Sequence, residues 1–445
     1  MLVSRRVFLR RSLAVAASGL VLSPFTQRFA VADTVGGGTG KNLLVINLLG
    51  GVDGLAMVPF ISGSHVALLK QTLRPTLNGP VSQPLNPFPS QLQAQVVGLH
   101  PEFAGLMQQV GQQCAIIQGY GIPGDPGRSH DTCQTLMSLG ISKGNSNEKS
   151  GFLARLMDLK GWESDQYWAF LNENPSDVNT ANRQPIVLSD LASFDYVKTG
   201  GESSLDLDLS VETAKKLLLA RNPTRALDVD SKNALLLMHD SVQVVKSQIL
   251  GQTVGGNAAG TYPDTVFGRT IRDVAKVLVA KSKGSALQQT KDTLILAGKS
   301  GFDTHSDQAN TFKKDDSLAG LLSDLGSSLA VLVADLKSAG IWDKTTIVVY
   351  SEFGRTVREN GIKGDISVGT DHGHASNTVV IGGAVKGGVY GEPPSEAELL
   401  DGDYNALLPK IDYRDVFSDA LRWIGVEPKA VFLEEGYQPK AIGIL

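Results

Sequence analysis

Residues 42–49, NLLVINLL, form a run in which only Asn42 and Asn47 are polar, and this run limits the fold more than any other stretch. A strand with one face in water alternates apolar and polar residues. A strand without alternation must be covered on both faces, as in the interior of a parallel sheet with helices on either side. Comparable runs recur at 114–118 (CAIIQ), 185–188 (PIVL), 293–297 (TLILA), 345–350 (TTIVVY) and 378–381 (TVVI). Helical patterns separate most of them. Over 315–339, Leu318, Leu321, Leu322, Leu325, Leu329, Leu332 and Leu336 recur at steps of three and four, which predicts one long helix with an apolar stripe. Asp264 is placed to cap a helix carrying Phe267, Ile271, Val274 and Leu278, and Asp412 one carrying Val416, Ala420 and Ile424. Alternating strands and helices give an α/β class with a largely parallel central sheet flanked by helices. Between about 150 and 260 the pattern gives way to polar loops and a long helix near 231–250, which predicts a helical and loop insertion or cap.

The first 32 residues belong to a different problem. Ser4-Arg5-Arg6-Val7-Phe8-Leu9-Arg10 precedes an apolar run over 13–25 and then Ala30-Val31-Ala32, a small-x-small cleavage pattern. The run is short for a bilayer span. SRRVFLR resembles the twin-arginine (Tat) export signal, which implies export of a folded chain through the Tat machinery to the periplasm or beyond. Residues 1–32 are therefore read as a signal peptide and 33–445 as the mature α/β domain, with no second membrane-length stretch and no stable transmembrane anchor after cleavage. Removing 1–32 takes away five arginines and no acidic residue, moving the formal charge from −4 to about −9. A chain this acidic is not expected to bind nucleic acid. Cys114 and Cys133 are the only cysteines, and they either pair in an oxidising compartment or stay as two buried thiols.

Of the seven histidines, two lie in the stretch GTDHGHAS, 369–376, as His372 and His374 beside Asp371. Such a group binds a divalent metal, moves protons or caps a loop, and three other stretches bear on the choice. Asp53 follows the first buried strand in GGVDG, either as a functional carboxylate at the strand's end or as the cap of a following helix in a tight turn. Asp303 and His305, two apart in GFDTHSDQ, follow the strand TLILA and project to one side of an extended segment. Glu352 follows TTIVVY. Ligands in open α/β sheets bind beyond the carboxyl ends of the strands, so three strands deliver a carboxylate to that edge. Unpaired anions would repel there, and a bound cation removes the conflict. Imidazole from His305, His372 or His374 completes a nitrogen and oxygen set of the kind zinc, manganese or iron accept. Arg128 and Ser129, in GRSHD at the start of a helix after CAIIQ, could receive a phosphate or sulfate oxyanion, or Ser129 could be an N-cap alone. Four of the seven histidines, His130, His305, His372 and His374, fall inside these motifs, although His130 is a simple surface residue if Ser129 is only an N-cap; His65, His100 and His239 read as structural.

NLLVINLLGGVDGL, GRSH, GFDTHSDQ, SEFGRTVREN, GTDHGHAS with VVIGGAVKGGVYGE, and DYRDVFSDALRWIGV together resemble the DUF1501 family of exported bacterial proteins, from about residue 42 to the end. That family is similar in turn to the alkaline phosphatase and sulfatase superfamily. The resemblance implies an alkaline-phosphatase-like α/β sandwich and a metal-dependent hydrolase of phosphate or sulfate esters, acting on a small-molecule or polymer substrate. Metal-assisted attack by Ser129 or by a metal-bound hydroxide would do the chemistry, with Arg128 or Arg355 on the oxyanion. The superfamily order falls on Asp53, Ser129, Asp303 with His305, Glu352, and then His372 or His374, with Asp371 a further candidate ligand from the same stretch. It implies one or two divalent ions, zinc first, with manganese, iron or calcium as alternatives. The departure is Phe353, where the pattern has a metal-binding histidine. A non-catalytic metal-containing envelope protein is the alternative. Because the arginine pair is the specific part of the signal, Arg5→Lys with Arg6→Lys is expected to leave precursor in the cytoplasm; fractionation of the native host checks this, and normal export of the double variant would refute it.

Overall fold

The run that opens the sheet is strand β1, Asn42–Leu48, and it lies between β5, Thr293–Lys299, and β6, Thr345–Tyr350, parallel to both. The computed structural model describes residues 39–77, 97–124, 126–144, 150–162, 166–170, 185–192, 245–284, 290–309, 317–362, 365, 367–401 and 406–445, with scattered positions between 213 and 242. The export segment 1–32 and most of the expected helix at 231–250 lie outside them. The remaining strands are β2, Cys114–Gly121, β3, Tyr167–Phe170, β4, Ile186–Leu188, β7, Ser376–Gly382, β8, Gly388–Tyr390, and β9, Ile411–Asp412. They make one nine-stranded sheet in the order β4-β3-β5-β1-β6-β7-β2-β8, with β9 beside β2.

Every pairing is parallel except those of β7, which runs against β6 and against β2. The carboxyl ends of β1, β2, β5 and β6 therefore share an edge, and the reversed β7 starts at that same edge. The stretch just before β7 thus meets the loops that leave the other four strands.

Both faces of β1 are covered, as its composition requires. Leu43 and Val45 join one cluster with Ala115, Leu294, Leu296 and Val348 under the helices His130–Leu139, Phe152–Lys160 and Tyr413–Trp423. Leu44 and Ile46 alternate to the opposite side, where the helix Val266–Ser282 packs on β5 and against the helix Leu318–Ser338. This last helix starts at Ser317, whose hydroxyl accepts from the Gly320 amide, and it is buried on most of its circumference. By length and composition alone it could cross a bilayer, which corrects the expectation of no second membrane-length stretch. Helix Val266–Ser282 is capped by Thr265, which accepts from Gly268, while Asp264 pairs with Arg269 at the surface. Asp412 caps the helix Tyr413–Trp423 as expected.

The described residues fall into two units, one within 36–189 and 253–445 and the other within 190–252. Within the region expected as an insertion, Phe152–Lys160, β3 and β4 belong to the first unit. In the second unit the described residues are chiefly the short turn Val245–Ile249. Cys114 and Cys133 are separate buried thiols, and burial pushes Cys114 up to about 12. Leu329 is fully buried in the long helix, so Leu329→Ala is expected to cost about 2–5 kcal/mol in chemical denaturation, against about 0.5 kcal/mol or less for Leu159→Ala at its half-exposed position.

Candidate metal centre

At the shared edge the loops approach so closely that glycine is required at particular points. A Cβ on Gly373 would lie 2.6 Å from the Arg355 carbonyl carbon, and one on Gly51, whose φ is +74°, would lie 2.2 Å from the Phe353 ring. Arg355 and His372 form an isolated antiparallel bridge, with the Thr356 amide donating to the Asp371 carbonyl at 2.9 Å and the Gly373 amide to the Gly354 carbonyl at 2.8 Å. The GTDHGHAS stretch is thus laid along the loop that follows β6, and its glycines let it lie there while Asp371 and His372 project from it.

Four donor atoms from three loops then meet. His130 Nε2, His372 Nε2 and Asp303 Oδ1 form a triangle with edges of 3.0, 3.1 and 3.5 Å. His305 Nε2 makes a second triangle on the same His372–Asp303 edge, 2.8 Å from His372 Nε2 and 3.2 Å from Asp303 Oδ1. Ligands at about 2.0–2.1 Å from a tetrahedral ion stand roughly 3.3 Å apart, so the spacings of the first triangle suit one cation, with His305 beside it.

The far nitrogens fix the tautomers. His130 Nδ1 lies 2.7 Å from Glu352 Oε1, His305 Nδ1 3.0 Å from Asp371 Oδ1, and His372 Nδ1 2.7 Å from the Arg128 carbonyl. Each of these oxygens accepts, so each Nδ1 donates and each Nε2 turns a lone pair toward the others. Bare lone pairs 2.8 and 3.0 Å apart repel, and the arrangement is stable only with positive charge among them, as a ring proton or a metal ion. A carboxylate or carbonyl behind each metal-facing imidazole is also the partner that orients such ligands.

Electrostatics follow the same contacts. Burial pushes the Asp303 carboxyl up, but the Arg355 hydrogen bond and charge, then His372, outweigh it and hold it at about 2. Burial likewise pushes Glu352 up, and hydrogen bonds from His130, Gln134 and the Gly50 amide bring it below its ordinary value. The Glu352 hydrogen bond raises His130, whereas burial lowers His372.

The site residues read from sequence thus take different places. Asp303, His305 and His372 come together. Glu352 and Asp371 stand behind histidines, because their loops aim them at Nδ1 atoms. Asp53 is turned elsewhere: its oxygens accept from Arg74 at 2.7 and 3.0 Å, from Gln308 and from the Ala56 amide at the start of the short helix Gly54–Met57. His374 is buried and accepts from Arg128 Nε at 3.2 Å. Arg355 is buried and committed to the Gly50, Gly51, Phe302 and Thr370 carbonyls and to Asp303, which corrects its expected role on an oxyanion. Ser129 precedes the helix His130–Leu139, but its hydroxyl does not cap it and makes no hydrogen bond among the described residues. His130, whose motif points in sequence chiefly to Ser129, joins the cluster with its Nε2 3.0 Å from that of His372. The available signal was that GRSH holds one of only seven histidines in a motif already selected for Ser129.

The fold and site define an α/β protein with a histidine and carboxylate cluster at the carboxyl edge of its sheet. The chain belongs to the family described as "Protein of unknown function (DUF1501)", which it matches over residues 126–442, a span that holds every cluster residue while β1 and Asp53 precede it. No curated protein matches it. Solved structures to which it is similar include the lipoteichoic acid synthase LtaP from Listeria monocytogenes, at 11% identity over 91% of this chain and 76% of that one, TM-score 0.33. They also include the PsFucS1 sulfatase from Pseudoalteromonas sp., at 12% over 87% and 68%, TM-score 0.36. A protein in the alkaline phosphatase superfamily from Vibrio parahaemolyticus is similar at 12% over 99% and 80%, TM-score 0.35. Likenesses this distant do not transfer an activity.

If Glu352 orients His130 for a metal, Glu352→Gln is expected to lower zinc affinity about 10–100-fold in competition with a chromophoric chelator. Glu359→Gln, whose carboxylate instead holds the Thr76 and Leu77 amides, is expected to leave that affinity unchanged.

Proposed function

We propose that the mature chain is an exported, metal-dependent hydrolase of phosphate or sulfate esters, working in the periplasm or beyond after Tat export. The observation that carries this reading is the convergence of His130, His305 and His372 Nε2 with Asp303 Oδ1, each ring backed by an acceptor on its far side. Three imidazoles and a carboxylate favour zinc, manganese or iron over calcium, which prefers six to eight oxygen ligands. A divalent cation held there would polarise an ester oxygen and make a nearby nucleophile more acidic.

The chain's own groups supply the rest. Arg355 holds Asp303 ionised and aimed, so the carboxylate needs no rearrangement on binding. The exposed Ser129 hydroxyl stands one residue before His130, at the amino end of a ten-residue helix whose first amides favour an anion. Arg128, half-buried beside it, adds a cation suited to a phosphoryl or sulfuryl oxygen. In this reading Ser129 Oγ, having lost its proton, bonds to phosphorus or sulfur while the ester bond to the alcohol breaks and the departing oxygen takes a proton from solvent. Water then cleaves the serine ester and restores the hydroxyl.

Ser129→Ala separates this route from direct attack by a water-derived nucleophile. Tested on aryl phosphate monoesters, diesters and sulfates with zinc or manganese supplied, it is expected to lose at least about 100-fold in kcat while metal content stays at the wild-type level. Full activity in the variant would assign the attack to water. A metal-loaded wild type inactive on every ester class would overturn the hydrolase reading in favour of a binding role.

A further inference from the structure

Four carboxylates and three guanidiniums gather at this edge, and burial separates Asp53, Glu352, Arg74 and Arg355 from the part-exposed Asp303, Asp371 and Arg128. Asp53 and Glu352 are 0% and 1% exposed, and Arg74 and Arg355 are 1% and 2% exposed. These four charges cancel in the dry part of the edge, where an imbalance costs most. The side chains of Asp303 and Asp371 are 48% and 49% exposed, and with the half-buried Arg128 guanidinium beside them they leave no negative charge beyond what one divalent cation neutralises. We infer that the cluster takes a single divalent cation per chain and that Arg74 and Arg355 fill the electrostatic place of a second.

Hydrogen bonding points the same way. Arg74 donates through one nitrogen to both Asp53 oxygens, through Nε to the Val357 carbonyl at 2.6 Å and through its other terminal nitrogen to the Thr356 carbonyl at 2.6 Å. The Asp53 oxygens also accept from Gln308 and the Ala56 amide, and among the described residues no imidazole is hydrogen-bonded to Asp53. A second ion at Asp53 would have to displace a guanidinium from three oxygen partners and would find no nitrogen ligand there. On the side of the cluster next to Glu352, Phe353 lays an apolar ring against His130 and His372, with centroids 4.8 and 4.9 Å away, and supplies no ligand there. Asp303, the one carboxylate in the donor set, already neutralises part of the Arg355 charge and has capacity for one further cation on its exposed side.

This inference rests on the metal-centre reading above, and the test distinguishes the two. Full-length mature protein is stripped with a chelator, dialysed, and titrated with zinc chloride under native mass spectrometry and calorimetry. One ion per chain is expected, with any further zinc bound at least about 100-fold more weakly. Two ions of comparable affinity would overturn the single-ion inference and keep the metal centre; no bound zinc would overturn both. Asp53→Asn is expected to keep one ion with affinity within about threefold of wild type, whereas Asp303→Asn is expected to lose it. Loss of zinc from an Asp53→Asn chain with a wild-type circular dichroism spectrum would make Asp53 a ligand and overturn the inference. If that variant does not fold, the wild-type stoichiometry decides.

Discussion

The buried guanidinium of Arg355 holds the edge of the sheet together. It donates to the carbonyls of Gly50 and Gly51 after β1, of Phe302 after β5 and of Thr370 before β7, and its own backbone follows β6. One side chain thereby fixes the relative positions of four connections that have no regular structure of their own. Its charge is met by Asp303, which becomes a preset anion facing the histidines. A lysine could not replace it, because a single ammonium has three donors and no planar fork. Removing the guanidinium would strand several buried carbonyls together with the Asp303 carboxylate, so the fold of the edge and the charge of the site share one cause.

The framework of the fold was legible because burial leaves a compositional mark. A run such as NLLVINLL has no polar face, so the central strands and the long helix with its stripe of leucines could be read directly. β3, β8 and β9 could not, since runs of four, three and two residues carry no usable period. Nor could the reversed direction of β7 be read: TVVI is equally apolar in either orientation, and only the pairing with β6 and β2 sets it. That reversal is what brings GTDHGHAS to the edge where the parallel strands end.

The site was legible to the level of residues and not of roles. The strand-end rule located Asp303 with His305 and Glu352, the clustering of histidines in GTDHGHAS located Asp371 and His372, and all five take part in one connected cluster. Which carboxylate faces an Nε2 and which an Nδ1 depends on loop backbone a few ångströms away, and spacing does not encode it. Asp53 shows the limit most clearly. Its position after β1 is that of a functional carboxylate, yet Arg74, 21 residues on and just past the short π-helix Leu69–Leu73, takes it out of the donor set. His130 failed in the other direction. Its partner Glu352 lies 222 residues away, so nothing local separated it from a surface histidine at a helix start.

Phe353 then changes meaning. Beside Glu352 it reads in sequence as a missing ligand, but in the fold it is a wall. Its ring packs against the imidazoles of His130 and His372, and the absence of a side chain on Gly51 makes room for it. An apolar ring cannot donate to Nε2 or compete for a cation. It can exclude water from one side of the rings and restrict their rotation, while Glu352 and the Arg128 carbonyl restrict it from the other side. Rings held on both sides lose little further freedom when they bind, and that is how a shallow, half-exposed set of donors can favour a cation over a ring proton.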